Sequence, residues 1–358
     1  MVIAATAPGK TTEQSLRDAV CHLPRARLGY FPTPLEECAR FSEALGGPRI
    51  LVKRDDLTGL AFGGNKTRKL EFNLGEAVAR GADVMVGGAA AQSNHCRQAA
   101  AAAAKFGLEC HLFLQGGQKD AYPPQGNLLL DHLLGAQVHL LQGEEGERVP
   151  EIMAAHVEAL RAQGRRPYQF MGTPEADRLG ALSYVDTFLE LQTQLREQGL
   201  RADRLYVASG GGTGGGLTLA AKIVAPETKV VTFTPIDTVA SRRQRMCAQA
   251  NAAAELLGLP ERLTEAEITM HDEYIGPSYG IATPAGIEAT TLLARTEGII
   301  LEPIYTAKAV AGLIDHVRRG LIGKDETVVY LHTGGLPALF AYNEEFAVEM
   351  SVDVGTGR

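Results

Sequence analysis

The sequence predicts an α/β protein of two lobes, each an open, mostly parallel sheet with helices on both faces. Three observations support this fold class. Short apolar runs alternate with longer segments of helical periodicity, as in βαβ units. Two such series occur along the 358 residues, and a chain of this length is expected to hold roughly two domains. No linker rich in Pro, Ser or charge separates the series, so we expect the lobes to pack around a cleft.

The first series of elements ends near residue 162. Each predicted strand is a short aliphatic run, and a helical segment follows each strand after a brief turn. We expect Gly87-Gly88 to turn the second strand toward an alanine-rich helix. The predicted strands are 50–53, 84–86, 111–114 and 138–141, and the predicted helices are 66–80, 97–106, 127–134 and 149–162.

The second series begins after Pro167-Tyr168-Gln169-Phe170. A glycine-rich loop at 210–216 is predicted to join a strand to a helix, and the last strand runs into His332-Thr333-Gly334-Gly335. The predicted strands are 205–208, 230–233 and 328–331, and the first predicted helix is 179–197.

Composition excludes several functional classes. The net charge of -7 argues against a nucleic-acid partner, because such proteins carry a basic face. The five cysteines form no CxxC pair, which fits a reducing compartment, and the histidines form no HExxH motif, so no metal site is expected. Residues 1–6 are too short for a signal peptide, and no apolar run is long enough for a membrane span. We expect a cytoplasmic enzyme without a membrane partner.

Gly63-Gly64-Asn65-Lys66 is the segment that most directly suggests covalent chemistry. Glycines allow a backbone to approach a flat or phosphorylated ligand closely. A partly buried lysine in such a turn has a lowered pKa, and its amine can form a Schiff base. On this motif alone, a solvated basic helix start remains an equal alternative.

Two further segments lie between a strand and a helix. Residues 91–95 (Ala-Gln-Ser-Asn-His) place Ser93 and Asn94 where they can cap a helix, and a helix start also suits a substrate carboxylate. Residues 209–216 are nearly all glycine, and their N–H groups can cradle a phosphate. A dinucleotide site is a weaker alternative, because the glycines do not open the first βαβ unit.

Two tyrosines, Tyr279 and Tyr305, lie in predicted turns. Each is by itself more typical of a structural residue. A Schiff-base lysine, a phosphate cradle and an anion-binding helix start nevertheless describe together a site for pyridoxal 5'-phosphate.

The chain resembles the D-cysteine desulfhydrase and 1-aminocyclopropane-1-carboxylate deaminase family, which has the tryptophan-synthase-β type of fold (fold type II). The resemblance extends in order over nearly the whole chain. The matching segments are 31–35, 53–56, 63–71, 92–95, 277–280, 296–298, 303–306 and 332–335.

The resemblance implies a role for each matching residue. Lys66, and not Lys69, would hold the cofactor covalently and move protons at the substrate Cα. Ser93, Tyr279 and Tyr305 would act on the substrate as acid, base or positioning groups. The resemblance also implies two sets of binding residues. The substrate would be bound by Gln92, Ser93 and Asn94, and the cofactor by Asn94, Gly210, Gly211, Gly212, Thr213, Gly214 and Thr306.

Thr306 helps to choose a reaction within the family. It matches the residue that faces the ring nitrogen of the cofactor, where the ring-opening deaminases carry a glutamate. A neutral threonine stabilises a protonated ring less well than a carboxylate does, which favours a substrate whose β-substituent leaves readily. We therefore expect α,β-elimination, with D-cysteine giving pyruvate, sulfide and ammonia.

The alternatives are a 1-aminocyclopropane-1-carboxylate deaminase, an L-cysteate sulfo-lyase and a non-catalytic binding protein of the same fold. The substrate stays open because residues 172–177 replace the Gly-Gly-Ser-Asn turn that is usual in relatives. The resemblance further implies a homodimer, a discontinuous large cofactor-binding domain (1–68 and 177–358) and a small domain (69–176).

Overall fold

A computed structural model describes residues 11–116, 123–236 and 238–346. Residues 1–6, on which the expectation about a signal peptide rests, lie outside these ranges. Within them, the chain builds two separate sheets. No helix among the described residues has the length and apolar character needed to span a membrane.

The larger sheet has six strands in the order β1-β2-β10-β7-β8-β9. Edge strand β1 is antiparallel to β2, and the other neighbours are parallel. The strands are β1 (Leu35–Glu37), β2 (Arg49–Lys53), β7 (Arg204–Ala208), β8 (Lys229–Phe233), β9 (Thr269–His271) and β10 (Thr327–Leu331).

The smaller sheet has four parallel strands in the order β5-β4-β3-β6. They are β3 (Val84–Ala90), β4 (Glu109–Gln115), β5 (Gln137–Leu141) and β6 (Pro167–Gln169). All four fall within the predicted small domain, although the domain boundaries themselves stay a prediction.

Helices pack on both faces of the sheets, so the predicted fold class is confirmed. They are α1 (Glu13–Cys21), α2 (Ala39–Leu45), α3 (Lys66–Ala79), α4 (Asn94–Phe106), α5 (Gly126–Leu133), α6 (Gly143–Glu147), α7 (Val149–Ala162), α8 (Pro174–Glu197), α9 (Gly212–Val224), α10 (Val239–Leu256), α11 (Pro284–Glu297), α12 (Thr306–Arg318), α13 (Leu336–Leu339) and α14 (Asn343–Phe346).

Several predicted element boundaries were wrong. Helix α4 begins at Asn94, three residues before the predicted start at 97, and two other differences bear on the candidate site. Gly87 and Gly88 do not form a turn but lie inside β3. The strand needs a glycine at position 87, because a side chain there would overlap the ring of Phe170. Helix α8 begins at Pro174, five residues earlier than predicted, since Thr173 caps it by accepting the N–H of Ala176. Most of the unusual 172–177 segment is therefore the start of a helix.

A buried network of charges lies beneath the carboxyl ends of β2 and β10. The Arg68 guanidinium binds Asp55 through two nitrogens at 2.8 and 2.9 Å and contacts both carboxylate oxygens of Glu190. Lys53 also pairs with Glu190, and the Tyr184 hydroxyl donates to Asp55 at 2.7 Å. Two cations and two carboxylates thus offset each other, as a buried network requires.

Candidate active site

Lys66 is the first residue of α3 and follows a turn that only glycines can form. Gly63 and Gly64 have φ angles of +67° and +123°, and a side chain on Gly63 would overlap the carbonyl oxygen of Asp56. The Gly64 N–H donates to the Asp55 carbonyl at 3.0 Å and to Thr58 Oγ1 at 2.8 Å. The preceding chain therefore fixes where the lysine emerges.

The Lys66 amine has no hydrogen-bond or ion-pair partner among the described residues. Its neighbours Asn65, Thr67 and Arg68 are buried, so this helix start is not a solvated one. Burial lowers the pKa of Lys66 to about 8, because the charged form loses hydration. A useful fraction of the amine is then neutral and nucleophilic near physiological pH.

The glycine-rich segment lies directly beside this turn. Asn65 Nδ2 donates to Thr213 Oγ1 at 3.2 Å, which joins the start of α3 to the start of α9. The N–H groups of Gly212 and Thr213 donate no hydrogen bond to any part of the chain that the structure describes. With the positive end of the α9 dipole, they offer an anion site.

The predicted phosphate loop is shorter than expected, because α9 already begins at Gly212. Ser209 Oγ accepts the N–H of Gly214 at 2.9 Å, so that N–H is not free for a ligand. Gly215 and Gly216 serve packing: side chains there would press on the carbonyl oxygen of Met246 or overlap that of Ala181. Close approach of α9 to α8 and α10 explains these two glycines better than phosphate binding does.

The segment 332–335 after β10 lies between the Lys66 turn and the start of α4. The Asn65 N–H donates to the Thr333 carbonyl at 2.9 Å, and a Cβ atom on Gly334 would lie 2.6 Å from the Gly64 Cα. A Cβ atom on Gly335 would lie 3.1 Å from Asn94 Nδ2. Lys66 and Asn94 therefore border the same segment.

The start of α4 confirms that Ser93 is a helix cap, as the alternative interpretation of this motif held. Ser93 Oγ accepts the Cys96 N–H at 3.2 Å. Asn94 Oδ1 accepts from Arg97 and Asn127 at 2.9 and 3.0 Å. Gln92 holds the start of α5 by accepting the Asn127 N–H at 2.9 Å. Substrate contacts of these residues stay a prediction.

Tyr279 and Tyr305 form a pair that spacing alone could not predict. Their hydroxyl oxygens are 2.8 Å apart, and their rings meet edge to face with centroids 5.9 Å apart. Burial raises the pKa of both hydroxyls, so both keep their protons near neutral pH. One proton of the pair is shared between the hydroxyls, and the other can serve a third group.

Thr306 is fully buried at the first position of α12. Its hydroxyl accepts the Glu302 N–H at 2.7 Å and donates to the Glu302 carbonyl at 3.1 Å. The predicted contact with the ring nitrogen of a cofactor stays a prediction. The structure adds that the hydroxyl proton already has an acceptor in the protein.

Three polar residues near the site were given no individual role by the sequence. Lys69 lies on the same face of α3 as Lys66, one turn later, and its amine has no hydrogen bond to the described residues. Burial, and next the charge of Lys66, hold its pKa well below the usual range. The buried Nε2 of His95 is also unpartnered in the described chain. Arg97 donates to the Gly63 carbonyl at 2.7 Å and so ties α4 to the Lys66 turn.

These residues fit a pyridoxal phosphate group. The unpartnered Lys66 amine would hold it covalently, and the Gly212 and Thr213 N–H groups with the Lys69 amine would hold its phosphate. Among the described residues, no cluster of His, Cys, Asp and Glu has the arrangement of a metal site.

Comparison with known proteins gives the same picture. Residues 26–334 match the model of the family described as pyridoxal-phosphate dependent enzyme. A crystal structure of an ACC deaminase homologue is 32% identical, and the alignment covers 93% of this chain and 98% of that one with a TM-score of 0.84.

Two more distant structures share the fold. Diaminopropionate ammonia lyase from Escherichia coli is 16% identical over 93% of this chain and 90% of its own, with a TM-score of 0.63. An O-ureido-L-serine synthase is 17% identical over 90% of this chain and 94% of its own, with a TM-score of 0.64.

Proposed function

Because the chain belongs to the family of pyridoxal-phosphate-dependent enzymes, we propose that it is a lyase acting on a small amino acid with a β-leaving group. D-cysteine is the substrate we favour, with pyruvate, sulfide and ammonia as products. The observation that carries this proposal is the unpartnered Lys66 amine. The protonated tyrosine pair is linked to the same 332–335 segment through Glu302, which accepts the Tyr305 N–H and lies against Gly335. Together they would supply a base and an acid for elimination.

The cofactor, when bound, supplies an electron sink for the negative charge that develops at the substrate Cα. Lys66 would anchor the cofactor, and its amine would take the proton from the substrate Cα. Its lowered pKa suits both roles, because each needs a neutral amine.

The tyrosine pair serves the leaving group. A departing thiolate needs a proton, and Tyr279 or Tyr305 can deliver one while the partner hydroxyl stabilises the resulting oxygen by hydrogen bonding. The substrate carboxylate would bind at the start of α4, where Ser93 and Asn94 lie at the positive end of the helix dipole.

The neutral Thr306 supports elimination over ring opening. With its hydroxyl engaged by the Glu302 backbone, it offers no negative charge to a protonated ring. An easily departing β-substituent requires less electron withdrawal than the opening of a cyclopropane ring.

The test is a product assay with the holoenzyme. D-cysteine, L-cysteate, D-serine and 1-aminocyclopropane-1-carboxylate are incubated separately, and pyruvate, 2-oxobutyrate, sulfide and sulfite are measured. We expect pyruvate with sulfide from D-cysteine to dominate. If sulfite from L-cysteate dominates, L-cysteate and not D-cysteine is the substrate. Dominant 2-oxobutyrate would overturn the interpretation of Thr306. Bound cofactor without any product would favour the non-catalytic alternative.

We also propose that the protein is a homodimer and works in the reducing cytoplasm. The dimer is what the resemblance implies, and the large apolar side chains Phe62, Leu133 and Phe340, each more than half exposed, are the residues we expect it to cover. All five cysteines are free thiols, as is usual in reducing compartments. Sedimentation analysis would test the dimer, and cell fractionation would test the compartment.

The domain boundaries predicted from the resemblance remain part of the proposal, with the small domain at 69–176. Both boundaries fall inside helices, residue 68 in α3 and residue 177 in α8, so proteolysis is not expected to mark them. Crystal structures with and without substrate would test the division: movement of 69–176 as one body would support it, and movement within either sheet would contradict it.

A further inference from the structure

Glu302 is a buried carboxylate that the proposed chemistry does not use. The residue is 1% exposed, yet no cation forms an ion pair with it among the described residues. Its oxygens instead accept three consecutive backbone N–H groups, from Ile304 at 2.9 Å, Tyr305 at 2.8 Å and Thr306 at 2.8 Å. A side chain that satisfies so many amides fixes the backbone they belong to.

Those amides form the start of α12, which lacks an ordinary side-chain cap. Tyr305 stands at the capping position and its side chain makes no capping hydrogen bond. Glu302, three residues before Tyr305, caps the helix instead. The Thr306 hydroxyl in turn accepts the Glu302 N–H and donates to the Glu302 carbonyl. The negative charge also lies at the positive end of the α12 dipole.

This capping determines where the tyrosine pair lies. The Tyr305 N–H is bound by Glu302, and the Tyr305 hydroxyl is 2.8 Å from that of Tyr279. Tyr279 belongs to an irregular segment between β9 and α11, so Tyr305 is a firm neighbour for its side chain. A displaced α12 start would move both hydroxyls.

The Glu302 side chain lies so close to Gly335 that no larger residue fits there. Gly335 has a φ of +104°, and a Cβ atom there would lie 2.5 Å from Glu302 Cγ. Glu302 is thus enclosed between the start of α12 and the 332–335 segment that borders Lys66 and Asn94.

We propose that Glu302 is the positioning residue of this active site: its carboxylate holds Tyr305, and through Tyr305 holds Tyr279, without touching the substrate. The proposal rests on the roles proposed above for the two tyrosines. It goes beyond them by assigning their placement to one side chain.

The electrostatics of Glu302 make this placement dependent on pH. Burial raises the pKa of Glu302 to about 7, although its hydrogen bonds to the backbone act in the opposite direction. The titratable groups around it are Tyr279, Tyr305, Tyr330 on β10 and Lys308 on α12. Below about pH 7 the protonated carboxyl has fewer acceptor sites for the three N–H groups, and the hold on Tyr305 weakens.

The first experiment measures the hold itself and needs no substrate. In Glu302→Ala, amide hydrogen exchange of residues 304–306 should become about 10- to 100-fold faster, the range for losing hydrogen bonds to a charged group. Glu267→Gln is the matched control, since Glu267 also accepts a backbone N–H, that of Thr264 at 2.8 Å, at a turn outside the site. Unchanged protection of residues 304–306 would overturn the proposal.

The second experiment asks whether Glu302 acts through Tyr305. Glu302→Gln should lower kcat about 10-fold or more, with KM and cofactor affinity little changed, but it should have little further effect in a Tyr305→Phe background. Additive effects would contradict a positioning role. The isosteric Glu302→Gln variant also serves in the exchange experiment if Glu302→Ala does not fold, because an amide has one acceptor oxygen for three N–H groups. If the wild type converts no amino acid of the panel, the proposed function fails, whereas the exchange result still decides the role of Glu302.

Discussion

Two sets of basic side chains lie within one turn of α3 and have opposite surroundings. Every charged group that Arg68 binds is an acceptor: it contacts both oxygens of Asp55 and both oxygens of Glu190. The amines of Lys66 and Lys69, two residues before and one residue after it, have no acceptor among the described residues. The difference separates charges that stabilise the fold from charges arranged to receive a ligand.

This contrast has an energetic meaning. A paired buried cation recovers the cost of desolvation from its partners, whereas an unpaired one has a lowered pKa and is more readily deprotonated. Removing a partner should therefore destabilise the Arg68 network, but removing Lys66 or Lys69 should impair function without harming the fold.

The largest effect is expected from Lys66→Ala. Without the amine, turnover should fall by about 10³-fold or more, since the variant loses both an anchor and a base. The absorbance band of the lysine-bound cofactor should disappear, while the thermal midpoint stays near that of the wild type. A variant that kept the band would show that another lysine holds the cofactor.

The paired side of the comparison is tested by Asp55→Asn. Breaking this buried ion pair should lower the free energy of unfolding by about 3–5 kcal/mol, measured by urea denaturation. Glu37→Gln, which removes a half-exposed partner of Arg49, is the control and should cost less than about 1 kcal/mol. Equal losses in the two variants would mean that the buried Arg68 network contributes no more to the free energy of unfolding than a half-exposed ion pair does.

Lys69→Met should show the opposite behaviour to Asp55→Asn. The change removes a partly buried amine that has no hydrogen-bond acceptor among the described residues and keeps the apolar stem, so the free energy of unfolding should stay nearly level. Affinity for pyridoxal phosphate should fall about 10- to 100-fold if one charged hydrogen bond to the phosphate is lost, as measured by fluorescence titration of the apoenzyme. Unchanged affinity would remove Lys69 from the phosphate site.

The last prediction is a pH dependence, about tenfold for a change of one unit. Only the neutral Lys66 amine can attack the cofactor aldehyde, and its pKa is about 8. The rate of cofactor capture by the apoenzyme should rise about tenfold per pH unit below that value and level off above it. Stopped-flow absorbance would measure this rate. A profile that kept climbing to the ordinary lysine pKa would contradict the desolvation of Lys66.

Local sequence patterns predicted much of the fold and singled out Lys66, one of the two amines of α3 without an acceptor among the described residues. Helix α7 has the predicted bounds, and the aliphatic runs of β2, β7, β8 and β10 are strands as expected. Lys66 was predicted because glycines and a basic helix start carry a local signal. Gly87 and Gly88 were misinterpreted because the ring of Phe170, far along the chain, is what requires them.

The parts that the sequence could not predict depend on contacts between distant residues. Tyr279 and Tyr305 are joined across 26 positions, and the role of Glu302 follows from where the 332–335 segment passes. The spacing of Lys69 from Lys66 was a signal in the sequence. Only the structure shows that its amine has no hydrogen-bond acceptor among the described residues. Gly215 and Gly216 look like phosphate-binding glycines, and only the packing of α9 shows otherwise.

The identity of the cofactor-bearing lysine tests the account most directly. The holoenzyme is reduced with borohydride, which makes the lysine–cofactor bond permanent, and digested peptides are mapped by mass spectrometry. The account predicts the reduced adduct on Lys66 alone. An adduct on Lys69, or no adduct in wild-type protein saturated with pyridoxal phosphate, would contradict it.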